Sequence, residues 1–293
     1  MTADQLVVIH NPTAGRRRAR RLARTLERLA ASGRGLVVRR TTQRGDAEAF
    51  ARAAAADPAT RAIVVAGGDG TINEAINGLA DSGAAFGILP LGTANVLAHE
   101  LAIGGSLSGA ARVLERGATR PIRLGAVEGR RFAMMAGAGY DAWVVDGIDP
   151  ATKRRWGKVA YVLSGMKVFS RWRPQTYRVT IDGIDHEAAS VVCCNGHFYG
   201  GRFVLAPAAR LDDDLLHVVL FGRGSRGAVL RYVLAMATGL IGHLPDVRIV
   251  PGRIIEIAAA DGAGEPVHAD GDIVAHLPVT VRMAERDTLV LAP

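Results

Sequence analysis

The residues best suited to chemistry are Gly67, Gly68, Asp69, Gly70, Thr71, Ile72 and Asn73, glycines set around one carboxylate. The apolar β-branched run Ile63-Val64-Val65 leads into them, and Ile72, Ala75, Ile76 and Leu79 follow at helical spacing. That order predicts a strand, a tight turn and a helix N-terminus, the geometry that offers backbone N–H groups to an anion. Glycine brings the backbone close to a phosphate because no Cβ intervenes. Asp69 repels a phosphate, so its place is explained by a metal ion or by the hydroxyl that receives a phosphoryl group. An ordinary strand-to-helix turn rich in glycine is the plain alternative.

The elements around this stretch repeat its design. Leu6–Ile9 reads as a short buried strand running into His10, Asn11, Pro12, Thr13, Ala14 and Gly15, a turn by its Asn-Pro and glycine content. A helix follows with Leu22, Leu26 and Leu29 as its buried stripe. Of its arginines, Arg20, Arg21, Arg24 and Arg28 read as a solvated face, while Arg16, Arg17 and Arg18 stand near enough to the turn to meet phosphate. Gly35–Arg40 is a further strand, and Thr41 to Asp46 a polar loop before an alanine-rich helix to Ala56. Phe86–Pro90 is another strand, opening through Leu91, Gly92, Thr93, Ala94 and Asn95 into a helix from Val96 to Leu101. Strands alternating with helices to about residue 120 predict a doubly wound parallel sheet. Ligands of such sheets bind beyond the carboxyl ends of the strands, where these polar turns converge.

After Pro121 the rhythm changes to short strands bounded by turn residues: Ile122–Val127, Phe132–Ala136, Tyr177–Ile181, Ala189–Cys194, Leu215–Phe221, Arg248–Ile257 and Pro278–Arg282. This half is read as mainly β, a sandwich or barrel. The division is therefore 1–121 and 122–293, with the last strand able to return to the first domain. One helix, Trp156 to Ser170, is bracketed by Lys153, Arg154, Arg155, Arg171 and Arg173. It reads either as a solvated helix or as one lying on an anionic membrane surface.

Composition narrows the partners. With 36 basic against 28 acidic residues the chain carries +8, which favours anionic partners without choosing among nucleotides, nucleic acid and membrane. Aromatic residues are only 5%, so stacking on nucleic-acid bases has little support and no nucleic acid is expected. The two cysteines, Cys193 and Cys194, are adjacent in an apolar run and read as buried thiols. Met1 to Gln5 lacks the features of a signal peptide, and Ala228–Gly242, interrupted by Arg231, falls short of a bilayer span. A cytoplasmic protein with peripheral membrane association is the expectation, and a homodimer is compatible with it. No Walker loop, HExxH, GxSxG or paired zinc-ligand spacing occurs.

With these turns in hand, the sequence resembles the diacylglycerol kinase catalytic-domain superfamily, and within it the bacterial lipid kinases related to sphingosine kinases. Asn11-Pro12-Thr13-Ala14-Gly15, Gly67 through Asn73 and Pro90-Leu91-Gly92-Thr93-Ala94-Asn95 carry the match in the first half. Gly137-Ala138-Gly139-Tyr140-Asp141-Ala142, Gly200-Gly201 through Pro207, Leu211-Asp212-Asp213 and Asp270-Gly271-Asp272 continue it in family order. The resemblance implies an ATP-binding domain like that of phosphofructokinases and NAD kinases, a β-sandwich-type lipid domain, and a site in the cleft between them. It implies ATP contacts at Asn11, Pro12, Thr13, Ala14, Gly15, Thr41, Gly67, Gly68, Asp69, Gly70, Thr71, Ile72, Asn73 and Thr93. It gives Asp272 the role of catalytic base, and Asp69 is read as orienting the metal–phosphate group. It also implies a Mg2+ ion on Arg210, Asp213 and Leu215, with Asp213 the side-chain ligand. The implied reaction moves the ATP γ-phosphoryl group to a lipid hydroxyl: diacylglycerol, a sphingoid base or phosphatidylglycerol.

Three positions depart from the family pattern. Asp272 stands where glutamate is usual, Val96 follows Asn95 where aspartate is commonest, and Asp214 occupies a usual glycine position. An NAD kinase-like enzyme and a non-catalytic lipid or nucleotide sensor are the competing readings. Gly137 through Ala142 mimics a dinucleotide fingerprint but lies in the β-rich half, and is read as close backbone packing.

Overall fold

The computed structural model describes residues 5–15, 18–31, 35–79, 82–148, 158–262 and 264–293, with the side chains of 158–160 not included. Arg16, Arg17, Lys153, Arg154, Arg155 and Trp156 lie outside the described residues. The chain divides into two compact units: Met1–Ile122 with Arg286–Pro293, and Arg123–Glu285.

In the first unit, β1 (Gln5–His10), β2 (Gly35–Arg40), β3 (Thr60–Gly67) and β4 (Ala85–Pro90) form parallel pairs in the order β2-β1-β3-β4. β20 (Thr288–Leu291) joins parallel to β4, and β5 (Thr119–Ile122) closes the sheet antiparallel to β20. Val8, Ile9 and Ile63 to Ala66 are buried on both faces, as parallel strands covered by helices require. The helices are α1 (Ala19–Ala30), α2 (Asp46–Ala55), α3 (Asp69–Leu79), α4 (Val96–Glu100) and α5 (Leu107–Arg116). α1 packs on α5, and α2 on α3. A Cβ on Gly78 would stand 2.2 Å from the Glu48 carbonyl oxygen, so that glycine sets how closely α2 and α3 approach. The chain leaves β1 toward β2 and returns past it to β3, so the carboxyl ends of β1 and β3 flank the switch point of a doubly wound sheet.

The second unit is a sandwich of two antiparallel sheets. One runs β10-β9-β16-β19-β6-β7 and contains β6 (Gly125–Val127), β7 (Arg130–Phe132), β9 (Tyr177–Ile181), β10 (Ile184–Ala188), β16 (Ile254–Ala259) and β19 (Val279–Met283). The other runs β15-β14-β11-β8-β17-β18 and contains β8 (Met135–Ala138), β11 (Ser190–Cys194), β14 (Leu216–Phe221), β15 (Val247–Gly252), β17 (Pro266–Ala269) and β18 (Asp272–His276). Alternation supplies the core: Tyr177, Val179 and Ile181 point in while Arg178 is exposed, and Val191, Val218, Ile255, Val267 and Val281 meet them. A short hairpin of β12 (Phe198–Tyr199) and β13 (Phe203–Val204) and three helices complete the described unit: α6 (Tyr140–Asp146), α7 (Lys158–Arg171) and α8 (Arg226–Ala237).

The predicted classes, a parallel α/β domain and a mainly β sandwich, hold, while several elements differ. Arg248–Ile257 is two strands in different sheets. Both carboxylate oxygens of Asp182 accept the Arg253 N–H, Asp182 Oδ1 also takes the Ile254 N–H, and a Cβ on Gly252 would lie 2.3 Å from Ile181 Cγ2. The chain therefore turns the corner there, although the apolar run reads as unbroken. Ile122–Val127 likewise divides, Ile122 ending β5 in the first unit and Gly125 opening β6 in the second. The helices α6 and α8 and the strand β10 were not anticipated.

Candidate active site

Three of the glycine-rich turns lock together at the carboxyl ends of β1, β3 and β4. Asn11 is the hub of the first: its Oδ1 accepts from the Thr13 N–H and hydroxyl at 3.0 and 2.7 Å, and its Nδ2 donates to Thr71 Oγ1 at 2.9 Å. Gly15 is left-handed (φ 63°), and a Cβ there would meet the Leu91 carbonyl oxygen at 2.7 Å. The Leu91 N–H donates to the Gly67 carbonyl at 2.9 Å, and a Cβ on Gly92 would stand 2.8 Å from Gly68 Cα. These glycines thus serve turn-against-turn contact. α3 begins at Asp69, so its first-turn amides have no acceptor within the helix and face outward from the strand ends.

Asp69 has partners that the sequence reading did not foresee. Its Oδ2 accepts from the Asn95 N–H at 2.9 Å and its Oδ1 from the Val96 N–H at 2.7 Å. The carboxylate expected to face a metal or an acceptor hydroxyl thereby clamps the third turn onto the second. A carboxylate amid glycines finds the nearest unsatisfied amides, here those where α4 begins. Asn95, left-handed at φ 47°, closes the turn through Nδ2 to the Gly92 carbonyl at 2.8 Å. Val96, which replaces the commonest family aspartate, is buried and gives only its backbone to this clamp.

The loop after β2 is tied to the same region. The Thr41 N–H donates to the His10 carbonyl at 2.9 Å, and Gly45 N–H to Glu74 Oε2 on α3 at 3.0 Å. Asp46 gathers the Thr42 N–H and hydroxyl and the Gln43 N–H, and these hydrogen bonds hold its carboxyl below the usual range. Beside the first turn lies a cavity of about 220 Å³ lined by His10, Pro12, Gly15, Leu22, Arg40 and Leu91. Burial and the Arg40 charge keep His10 below its ordinary pKa. Arg18, read from sequence as a phosphate partner, donates to the Pro90 carbonyl at 3.0 Å and the Gly105 carbonyl at 3.4 Å. It braces β4. Thr93 and Gly70 are exposed at the rim.

In the second unit, Asp272 opens β18 directly after a two-residue hairpin turn. Asp270 (φ 48°) and Gly271 (φ 82°) both have positive φ, the requirement of a type I′ turn and the reason Asp-Gly suits it. The Asp270 carboxylate accepts from the N–H groups of Ala133, Met134 and Met135 at 2.7, 3.0 and 3.1 Å. Tyr161 donates its hydroxyl to the Gly271 carbonyl at 3.4 Å. The turn is pinned by Asp270 while Asp272, half-buried, sits on the following edge strand. The Asp-Gly dipeptide signals such a turn in the sequence; nothing local signals its partners 136 residues away.

Behind this hairpin, His268 Nε2 lies 2.8 Å from Asp141 Oδ2, with His268 buried and the Asp141 side chain 12% exposed, and a Cβ on Gly137 would come 2.6 Å from that carboxylate oxygen. Gly139 (φ 113°) would likewise strike Ser190. The fingerprint-like glycines therefore pack backbone against strand, although a strand–turn–helix does occur there. Glu265, also buried, accepts from the Tyr177 hydroxyl and, at 3.3 Å, from the Trp143 indole N–H. Neither pair was anticipated.

The Arg210–Leu215 loop presents a restrained donor set. Asp213 N–H returns to the Arg210 carbonyl at 3.1 Å, Asp213 Oδ1 takes the Asp214 N–H at 2.8 Å, and His217 Nε2 stands 3.9 Å from Asp213 Oδ2. Asp214 pairs with Arg253 and does not have a positive φ, so glycine is not required at that position. Among the described residues no group of three or more His, Cys, Asp or Glu gathers to hold a metal ion. One carboxylate with backbone carbonyls suits a Mg2+ ion that keeps most of its water.

Two family descriptions match in sequence along the chain: the diacylglycerol kinase catalytic domain over residues 5–127, and the YegS C-terminal NAD kinase beta sandwich-like domain over residues 134–292. A diacylglycerol kinase of Bacillus subtilis (strain 168) is 30% identical over 277 residues, which is 92% of this chain and 90% of that protein. A Pseudomonas aeruginosa (strain UCBPP-PA14) protein named "Probable lipid kinase YegS-like" is 38% identical over 218 residues, 73% of this chain and 70% of that protein. A crystal structure of a diacylglycerol kinase from Bacillus anthracis (strain Sterne) has the same fold, with a TM-score of 0.80 at 24% identity, covering 99% of this chain and 97% of that one. The chain belongs to the diacylglycerol kinase catalytic-domain family.

Proposed function

We propose that this protein is an ATP-dependent lipid kinase that transfers the γ-phosphoryl group to a hydroxyl of a membrane lipid. The observation that carries the reading is the set of three mutually locked glycine turns at the switch point of a parallel sheet, in a chain of this family. The first-turn amides of α3 and the turn at Asn11 to Gly15 receive the phosphates, with Thr41, Thr71 and Thr93 around them. Asp69 acts mainly by position, holding the third turn in register with the second.

In the proposed step Asp272 accepts the proton of the lipid hydroxyl as its oxygen attacks the γ-phosphorus. The bond from that phosphorus to the β–γ bridging oxygen breaks, and ADP leaves with the electron pair. Aspartate in place of glutamate reaches about one methylene less far but accepts a proton equally well. A Mg2+ ion on Asp213 and the Arg210 and Leu215 carbonyls would supply charge neutralisation. The acceptor is diacylglycerol, a sphingoid base or phosphatidylglycerol. The description of the second domain as NAD kinase-like keeps NAD as the one competing acceptor to be tested.

The test is transfer from labelled ATP, with Mg2+, to diacylglycerol, sphingosine, ceramide and phosphatidylglycerol in mixed micelles, with NAD as a lipid-free control. A labelled lipid is the expected product. Asp272→Asn should lower its formation about 10²- to 10⁴-fold with an unchanged unfolding midpoint, and Asp272→Glu should retain turnover. Label on NAD alone, or full activity in Asp272→Asn, would refute the assignment.

A further inference from the structure

The helix α8 is apolar on the wrong side. A surface helix buries one stripe and offers polar residues outward. Here Ala228, Val229, Tyr232 and Ala235 are buried, as expected, yet after Arg226 the outward positions are Gly227, Leu230, Val233, Leu234 and Ala237. Leu230 is 52% exposed, Val233 47% and Leu234 59%, and Leu240 just beyond the helix is 54% exposed. Phe203 is also exposed, on β13, which lies against α8. A continuous apolar face of this kind marks an interaction surface.

A second helix of this unit is also apolar outward. On α7, Val162, Leu163 and Met166 are all exposed. The end of α7 and the start of α8 are fastened together: the Arg226 guanidinium donates to the Ser170 carbonyl and the Trp172 indole N–H to the Gly224 carbonyl, each at 2.7 Å.

Charge identifies the occupant. Residues 152–181 and 222–245 contain no aspartate or glutamate, while Lys167, Arg171, Arg173, Arg223 and Arg226 lie among the apolar positions. Asp246, just past the second stretch, pairs closely with Arg231 and stands 3.9 Å from Nε of Arg223, whose side chain stays exposed. A second copy meeting this patch about a two-fold axis would set the same acid-free, basic surface against itself. An anionic bilayer meets both requirements, apolar depth for the leucines and phosphates for the arginines. At 12 residues α8 spans about 18 Å, and no described helix is long and apolar enough to cross a membrane, so these helices would lie on the surface.

We propose that the outer face of α8, with the exposed turn of α7, docks this protein on anionic membranes; the inference rests on the lipid-kinase reading and supplies its means of reaching a bilayer substrate. The full chain is sedimented with phosphatidylcholine vesicles with and without phosphatidylglycerol. Wild type should pellet with the anionic vesicles. The Leu230→Glu/Leu234→Glu variant should bind more weakly, on the order of tenfold or more. Arg223→Gln/Arg226→Gln should lose roughly fivefold per arginine on anionic vesicles only. All should share the wild-type circular dichroism and unfolding midpoint, and all should phosphorylate a water-soluble short-chain acceptor equally. Equal pelleting of wild type and the leucine variant, or no pelleting of wild type, overturns the proposal. So does a wild-type dimer that the leucine substitutions convert to monomer in light scattering. No phosphorylation of the short-chain acceptor by any of the proteins, with the vesicle difference intact, refutes the lipid-kinase reading and leaves docking standing.

Discussion

Two aspartates, one in each unit, do the same mechanical job in different surroundings. Asp69 follows a parallel strand and clamps the Asn95 and Val96 amides of an adjacent turn. Asp270 sits inside a hairpin turn and clamps three consecutive amides ahead of β8. The glycines beside them differ in purpose. Gly67, Gly68 and Gly92 lack positive φ and are small because neighbours press on them, Thr71 of its own turn on Gly67 and the facing turns on Gly68 and Gly92, whereas Gly271 supplies positive φ. The lesson is that an acid inside a glycine motif can be the fastener of the site. The group proposed to react, Asp272, stands two residues beyond its fastener.

The comparison breaks most visibly at Asp270. Asp270→Ala leaves three amides without their acceptor and should lower stability by about 3 kcal/mol or more. Chemical denaturation reads this, and an unchanged midpoint would show the clamp to be dispensable. Gly92→Ala comes next: its Cβ meets backbone, Gly68 Cα at 2.8 Å, so nucleotide binding by calorimetry should be lost. Gly70→Ala, with nothing within 4 Å of its new Cβ, should keep the wild-type unfolding midpoint, while Gly92→Ala lowers it. If both midpoints match wild type, the turns do not need their close contact.

Asp69→Asn should be milder than Asp270→Ala, since the amide oxygen still serves one N–H while its NH2 opposes the other. About 1–3 kcal/mol of destabilisation is expected. A loss of turnover with no change in stability would restore a direct chemical role for Asp69.

The smallest effect concerns His10. Its folded pKa lies below 6.5, because burial and Arg40 disfavour the charged form. The unfolded chain therefore takes up a proton first as pH falls, and stability declines from about 6.5 down through the lowered value. His10→Gln should flatten the unfolding midpoint across that range; an unaltered slope would assign the pH dependence elsewhere.

How much of this was legible beforehand depends on the range of the signal. The βα alternation and the glycine turns are local patterns, and the parallel sheet with its converging turns follows from them. The corner at Arg253 is set by Asp182, 71 residues earlier, and leaves no mark in a run that reads as one apolar strand. The helix α8 escaped for a different reason. Its residues are apolar on both faces, so it lacks the periodicity by which a surface helix is recognised. Asp69 stands out in the sequence as a candidate site residue, but its direction was not readable, because the amides it takes belong to a turn 26 residues later.

The placement of β20 bears on how the protein is made. That strand lies between β4 and β5, and β5 pairs only with it among the described residues. A chain emerging from the ribosome can build β1 to β4 early, but the far side of this sheet stays open until residues 288–291 arrive. The intervening sandwich has time to fold first, so the first unit is both the earliest begun and the last completed.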